Sequence, residues 1–324
     1  MNGRRRTVAG LAALLAHWPL AALAQRTTPA RIGWLSYLAE PDPALAMLRD
    51  GLRNFGYVEG SSYVIASRFA GNDFKRLPAL VEELVADRVD ILVTRGPSTD
   101  FAKAARNRVP VVFVYSGDPI TAGFADSLRR PGRNMTGLTF MAMELCAKRV
   151  EVLKELLPGA KRIALLSNPE HAGELLEYRV TEETALRFGM EVTRYLVQTP
   201  QELAPAFNTI REAKVDAILV FPDSLTLSRR AEIAVLAAAA RIPCMYGWPE
   251  FVEAGGLVSY GPSITDGFRV LAVFVDKILK GADANVIPIE QARNISLSLN
   301  MTAVKALGLS VPPALMARAD RVIE

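Results

Sequence analysis

One order of elements occurs twice in this 324-residue chain, and that duplication constrains the fold more than any single motif. In the first half, Arg31-Ile32-Gly33-Trp34-Leu35 reads as a short buried strand. Leu45, Leu48, Leu52 and Phe55 follow at helical spacing, closed by Gly56. A further helix leads into Val89-Asp90-Ile91-Leu92-Val93, then a loop, a helix and Arg108-Val109-Pro110-Val111. In the second half, Arg162-Ile163-Ala164-Leu165-Leu166 opens the same series and Phe188-Gly189 repeats Phe55-Gly56. Val215-Asp216-Ala217-Ile218-Leu219-Val220 and Arg241-Ile242-Pro243-Cys244 complete it. The four landmarks are offset by 131, 133, 126 and 133 residues, in unchanged order. Continuous apolar runs bounded by helices belong to parallel strands covered on both faces. The expected fold is therefore α/β, with two doubly wound parallel-sheet lobes.

Three segments remain once both repeats are filled: a helix over Phe268–Leu279, a strand over Asn294–Leu299 and a helix over Thr302–Leu307. They complete the lobes only if the chain crosses between them several times. The expected division is an N-terminal lobe of residues 31–137 plus 262–287 and a C-terminal lobe of residues 138–261 plus 288–324. Crossings near Gly137–Thr139, Tyr260–Pro262 and Pro288–Gln291 make a multi-stranded hinge, which predicts closure around a ligand.

Composition narrows the chemistry. Residues 1–24 carry Arg4-Arg5-Arg6, an apolar stretch from Val8 to Leu23, no acid, and Ala22-Leu23-Ala24, the small-x-small pattern of a secretory signal. Cleavage after Ala24 and export to the periplasm are expected. Without that segment, 35 basic residues face 34 acidic ones, so no charge excess points to nucleic acid. One histidine, His171, is left, and it is expected to face solvent beside the cleft. A multi-histidine metal site is thereby excluded, and no paired-cysteine zinc spacing, G-x-S-x-G elbow, Walker A or G-x-G-x-x-G sequence occurs. The two cysteines, Cys146 and Cys244, are expected to be buried free thiols. No catalytic residue, cofactor or metal is assigned.

Ligands of open parallel sheets bind beyond the carboxyl ends of the strands. With two lobes face to face, those loops form pairs: Tyr37 opposite Asn168, Thr94, Ser98 and Thr99 opposite Phe221 and Asp223, and Tyr115, Ser116 and Asp118 opposite Tyr246 and Trp248. Ser98 and Thr99 precede a helix, where hydroxyls and free backbone N–H groups suit a carboxylate; each is equally an ordinary helix cap. Asp223, Glu170 or Asp118 suits an ammonium group, although Asp118-Pro119 is also a turn signal. Tyr37, Tyr115, Phe221, Tyr246 and Trp248 supply flat walls. Arg95 is placed to seat a second carboxylate. Asp90 and Asp216, despite repeating, are read as strand-start residues.

Longer motifs carry a resemblance. Pro110-Val111-Val112-Phe113, Gly117-Asp118-Pro119 and Ser127-Leu128-Arg129-Arg130-Pro131-Gly132-Arg133-Asn134-Met135-Thr136-Gly137 resemble the signature of the TrpX-type substrate-binding proteins of ABC transporters. So do Glu253-Ala254-Gly255-Gly256-Leu257-Val258-Ser259-Tyr260-Gly261, Val275-Asp276-Lys277-Ile278-Leu279-Lys280-Gly281, and the ending from Ala306-Leu307-Gly308-Leu309 through Pro312-Pro313 to Arg318-Ala319-Asp320-Arg321-Val322-Ile323-Glu324. The resemblance implies a type I periplasmic binding fold and a non-enzymatic receptor that delivers a small, amino-acid-like solute to the membrane subunits of an ABC permease. The protein is also expected to be a monomer that neither spans the membrane itself nor binds nucleic acid. An exported sensing module for a receptor kinase or chemoreceptor uses the same fold and stays open as an alternative.

Overall fold

The computed structural model describes residues 28–140, 142–171 and 173–324. The expected signal segment lies outside the described residues. Strands β1 (Ala30–Ser36), β2 (Tyr63–Phe69), β3 (Ile91–Arg95), β4 (Val111–Tyr115) and β5 (Met135–Thr139) form one sheet. Strands β6 (Arg162–Ser167), β7 (Glu191–Leu196), β8 (Ala217–Val220), β9 (Cys244–Tyr246) and β10 (Val258–Pro262) form the core of the other. Their spatial orders are β2-β1-β3-β4-β5 and β7-β6-β8-β9-β10, so the two halves share one topology. All these pairings are parallel.

The strands read as apolar runs because both faces are covered: β3, β4 and β8 are buried throughout. The helix Pro43–Asn54 starts where Asp42 accepts from the Ala44 N–H at 3.1 Å, with Pro43 preset for a first turn. It turns Ala44, Leu45, Leu48 and Leu52 inward, while Phe55 ends it at the surface. Asp90 and Asp216 do equivalent work at the opposite end of the sheets from the cleft. Asp90 accepts from the Arg31 N–H, and Asp216 accepts from the N–H groups of Lys161 and Arg162, all at 2.8 Å. Both aspartates thus tie a β3 or β8 start to the first strand of its lobe, as read from the sequence.

The chain crosses between the lobes three times. After β5 it enters the helix Ala142–Leu156, which packs on β10 and β9. After β10 it returns through the helix Ile264–Leu279, which packs on Pro43–Asn54, β4 and β5. A short strand β11 (Glu290–Gln291) pairs with β5, and β12 (Ile295–Asn300) then joins β10 antiparallel, followed by β13 (Arg321–Ile323) on β12. The first sheet therefore keeps residues 290 and 291, beyond the boundary at 287 read from the sequence, because Thr136 Oγ1 donates to the Ile287 carbonyl at 2.9 Å and draws the segment onto β5.

The strands of the first two crossings, β5 and β10, each carry a glycine where a side chain would collide with backbone. A Cβ on Gly137 would lie 2.0 Å from the Phe113 carbonyl oxygen, and one on Gly261 would lie 1.9 Å from the Gly247 carbonyl oxygen. A guanidinium that the sequence reading did not single out fastens the same junction. Arg149 is wholly buried and donates to the carbonyls of Tyr260, Ala142 and Gly247 at 3.0, 3.3 and 3.5 Å. Burial pulls its pKa down, opposed by Cys146 and Glu177. Phe140 meets Trp248 edge to face at 6.1 Å, within an apolar cluster that draws on both lobes. Cys146 and Cys244 are buried free thiols.

Candidate functional site: the cleft between the lobes

The strand ends of the two lobes face one another and touch. A Cβ on Gly96, just past β3, would fall 2.6 Å from Ser224 Oγ in the other lobe. The Tyr115 ring lies 6.4 Å from the ring of His171. Tyr37 is buried, its ring stacked on Phe74 at 4.2 Å and its hydroxyl donating to the Asn72 carbonyl at 3.0 Å. Burial pushes the Tyr37 pKa up to about 12, and Asp223 and Glu170 add to it from across the cleft.

The first lobe presents hydroxyls. Thr94 and Thr99 are buried and bonded to each other at 2.9 Å between their Oγ1 atoms, so they rigidify the loop. Ser98 is also buried, and its Oγ has no hydrogen-bond partner. Ser116 is buried at the end of β4, where its carbonyl accepts from Ala142 across the first crossing. A buried hydroxyl without a partner loses about 1–3 kcal/mol of solvation, so Ser98 is a position that a polar ligand atom would stabilise.

The second lobe presents an amide and a carboxylate. Asn168 donates from Nδ2 to Asp223 Oδ1 at 3.1 Å and accepts from the Glu170 N–H at 3.0 Å. Asp223 Oδ1 also accepts from the Leu225 N–H at 2.7 Å, which starts the helix Ser224–Ser228. The carboxylate also takes part in a capping box with Thr226, so it is fixed at the start of that helix. Trp248, 2% exposed, adds an indole Nε1–H without a partner.

Two residues read as ligand contacts, Phe221 and Tyr246, are placed differently. Phe221 packs into the second lobe's core with Leu219 and Met245. Tyr246 stacks on Phe251 at 4.7 Å and lines a separate apolar pocket beside Arg241 and Gly256. Alternation along β8 and β9 sends these rings into the lobe instead of the cleft. Asp118 closes a turn, with Oδ1 accepting from the Ile120 N–H at 2.9 Å and Oδ2 from the Thr121 hydroxyl at 2.6 Å. His171 corrects its expectation: it is 6% exposed, with Nε2 2.9 Å from Glu177 Oε1. Burial opposes its charged form, but Glu177 outweighs that, with Asp223 and Asp100 adding, and the pKa is pushed up to about 9.

Two cavities flank the paired strand ends. One, of about 380 Å³, is lined from both lobes by residues including Met47, Arg95, Leu227, Glu250, Ile264 and Phe268. The other, of about 260 Å³, is lined by Asp100, Lys103, Tyr115, Asp118, Gly173 and Glu177 among others. Burial pushes the Asp100 carboxyl up, while Lys103 and His171 hold it down. Among the described residues no cluster of His, Cys, Asp and Glu could hold a metal ion, and no helix is long and apolar enough to cross a membrane.

Residues 42–323 match the family described as ABC transporter substrate binding protein. The chain belongs to that family. This substrate-binding protein is 24% identical over 282 residues to the tyrosine-binding protein of Clostridioides difficile strain R20291, covering 85% of this chain and 80% of the relative. It overlays with a TM-score of 0.82 on an ABC domain from Streptococcus pneumoniae in complex with L-Trp, at 24% identity, covering 91% of this chain and all of the other. Against the ligand-free, open structure of a Clostridium difficile substrate-binding protein with adhesive properties, the TM-score is 0.61 at the same identity, covering 91% and 99%. Family membership makes the chain a binding protein and not an enzyme, with a small-molecule ligand and membrane transporter subunits as partners outside the cytoplasm.

Proposed function

We propose that this protein is the periplasmic receptor of an ABC importer that captures an amino-acid-like zwitterion between its lobes and closes over it by hinge motion. The carrying observation is the pairing of complementary, buried polar groups across the cleft: Ser98 and Ser116 on one side, Asn168 and Asp223 on the other. Hydroxyls at a helix start suit a carboxylate, and the Asp223 carboxylate suits an ammonium. Two relatives that bind tyrosine and L-Trp support this ligand class. The better overlay on the L-Trp complex than on an open, ligand-free structure supports closure. On this reading the lobes are residues 28–139 plus 263–291 and residues 142–262 plus 292–324, the signal is cut after Ala24, and the receptor works as a monomer.

The test is thermal unfolding of refolded Gln25–Glu324 against a panel of amino acids, aromatic acids and small amides. A ligand at 100 times its Kd adds about 2.7 kcal/mol, so the expected result is a rise of several degrees with aromatic or branched amino acids. A flat response to every amino acid contradicts the assignment.

A further inference from the structure

We propose that the 380 Å³ cavity beside the paired strand ends receives the ligand's side chain, and that Arg95 selects one ending in a hydrogen-bond acceptor, a carboxylate or a carbonyl. This rests on the cleft being the ligand site and names the substrate class more narrowly. The cavity and the polar seat share one loop: Arg95 ends β3 and lines the cavity, and Ser98 follows three residues later. An engineered apolar cavity of about 150 Å³ already admits benzene, so this space takes a substituted ring.

Met47, Leu227, Ile264 and Phe268 give the wall its apolar part, and among the charged residues beside them Arg95 is the most deeply buried. Arg95 is 5% exposed, with its guanidinium carbon 4.8 Å from the Phe268 ring centroid. Its Nη1 donates to Asp42 Oδ1 at 2.7 Å, and no other described group accepts from Nε or Nη2. The guanidinium is thus held flat by a ring and a carboxylate while part of its donor fork stays available, the geometry that reads a planar acceptor.

The exposed Glu40 also lines the cavity, whereas the two buried carboxylates beside Arg95 and the crossing helix already serve the protein. Asp42 Oδ1 also caps the helix Pro43–Asn54, and Glu250 Oε1 accepts from Ser263 Oγ at 2.9 Å and the Thr265 N–H at 3.1 Å, at the start of the next crossing helix. Asp42 Oδ2 and Glu250 Oε2 are buried without a hydrogen-bond partner. Of the remaining charges on the wall, Arg229 pairs with Glu232 and Arg230 donates to the Leu227 carbonyl. Arg95 is therefore the buried wall charge that keeps donors to spare for an acceptor on the ligand.

The test is isothermal titration of the refolded protein with three shape-matched probes: 4-carboxy-, 4-carbamoyl- and 4-isopropyl-L-phenylalanine. The expected result is that at least one acceptor-bearing probe binds about tenfold or more tighter than the isopropyl compound, with the order of the first two distinguishing a charged from a neutral acceptor. Arg95→Lys keeps a cation beside Asp42 and should remove most of that preference, read as the ratio of acceptor-probe to isopropyl-probe affinity. Should that variant fold poorly, Arg95→Gln with Asp42→Asn removes both charges together and carries the same expectation. Isopropyl binding equal to or tighter than both acceptors overturns the selectivity and leaves the receptor reading intact. No binding by these probes or by any amino acid of the panel overturns both.

Discussion

The two lobes are built on one strand order yet offer opposite chemistry at equivalent places. Past β3 the first lobe ends in Arg95 and turns through Gly96 to the hydroxyls of Ser98 and Thr99. Past β8 the second lobe turns through Phe221 and Pro222 to the carboxylate of Asp223. Their far ends, by contrast, stayed alike: Asp90 accepts from the Arg31 N–H of β1 as Asp216 accepts from the Arg162 N–H of β6. A duplicated scaffold can thus hold its structural ties in common while its strand-end loops diverge into two halves of one ligand seat.

The largest effects should come where the lobes remain alike. Gly137→Ala and Gly261→Ala each force a methyl within about 2 Å of a neighbouring carbonyl oxygen. Each should cost about 3 kcal/mol or more, measured as a lower urea midpoint. If either variant is as stable as the wild type, the equivalence of the crossing strands fails.

Next come the divergent loops. Asp223→Asn keeps an oxygen for the Leu225 N–H and removes only the charge, so binding of an amino acid by calorimetry should weaken roughly 100-fold at near-constant Tm. Ser98→Ala should weaken it about tenfold, and because the Ser98 hydroxyl has no protein partner, unliganded stability should hold. Equal losses at both, or none, would erase the division into an acidic and a hydroxylic half.

Smaller effects belong to the strand ties. Asp90→Ala and Asp216→Ala should each lower stability by about 1 kcal/mol and leave ligand affinity unchanged. A change in affinity would place them in the site.

The smallest concerns His171, whose counterpart position in the first lobe has no histidine. Its pKa of about 9 lies above the ordinary value of 6.5, so its pairing with Glu177 contributes fully below pH 6.5 and is lost as pH rises through 9. Tm should fall over that window, and Glu177→Gln should flatten the slope; a slope unchanged in the variant assigns the titration elsewhere.

How much of this was legible depends on the kind of information involved. The duplication and the three crossings could be read because parallel strands buried on both faces leave unbroken apolar runs, and four such landmarks recurred in order. Strand-end loops could be named for the same reason. Which way a side chain leaves a strand of three or four residues could not, so Phe221 and Tyr246 were read as walls and proved to be core. His171 looked solvent-facing because its partner Glu177 sits on the following helix, among other acids of no special spacing. Arg149 carried no signal at all: its acceptors are backbone carbonyls up to 111 residues away, and any residue type can supply those.

The central claim is that both lobes hold one ligand, and small-angle scattering tests it most directly. Refolded protein should shrink in radius of gyration when saturated with an amino acid that raises its Tm, and Asp223→Asn should fail to shrink at the same concentration. An unchanged radius in the wild type, with binding confirmed in the same sample, would contradict a ligand held between two closing lobes.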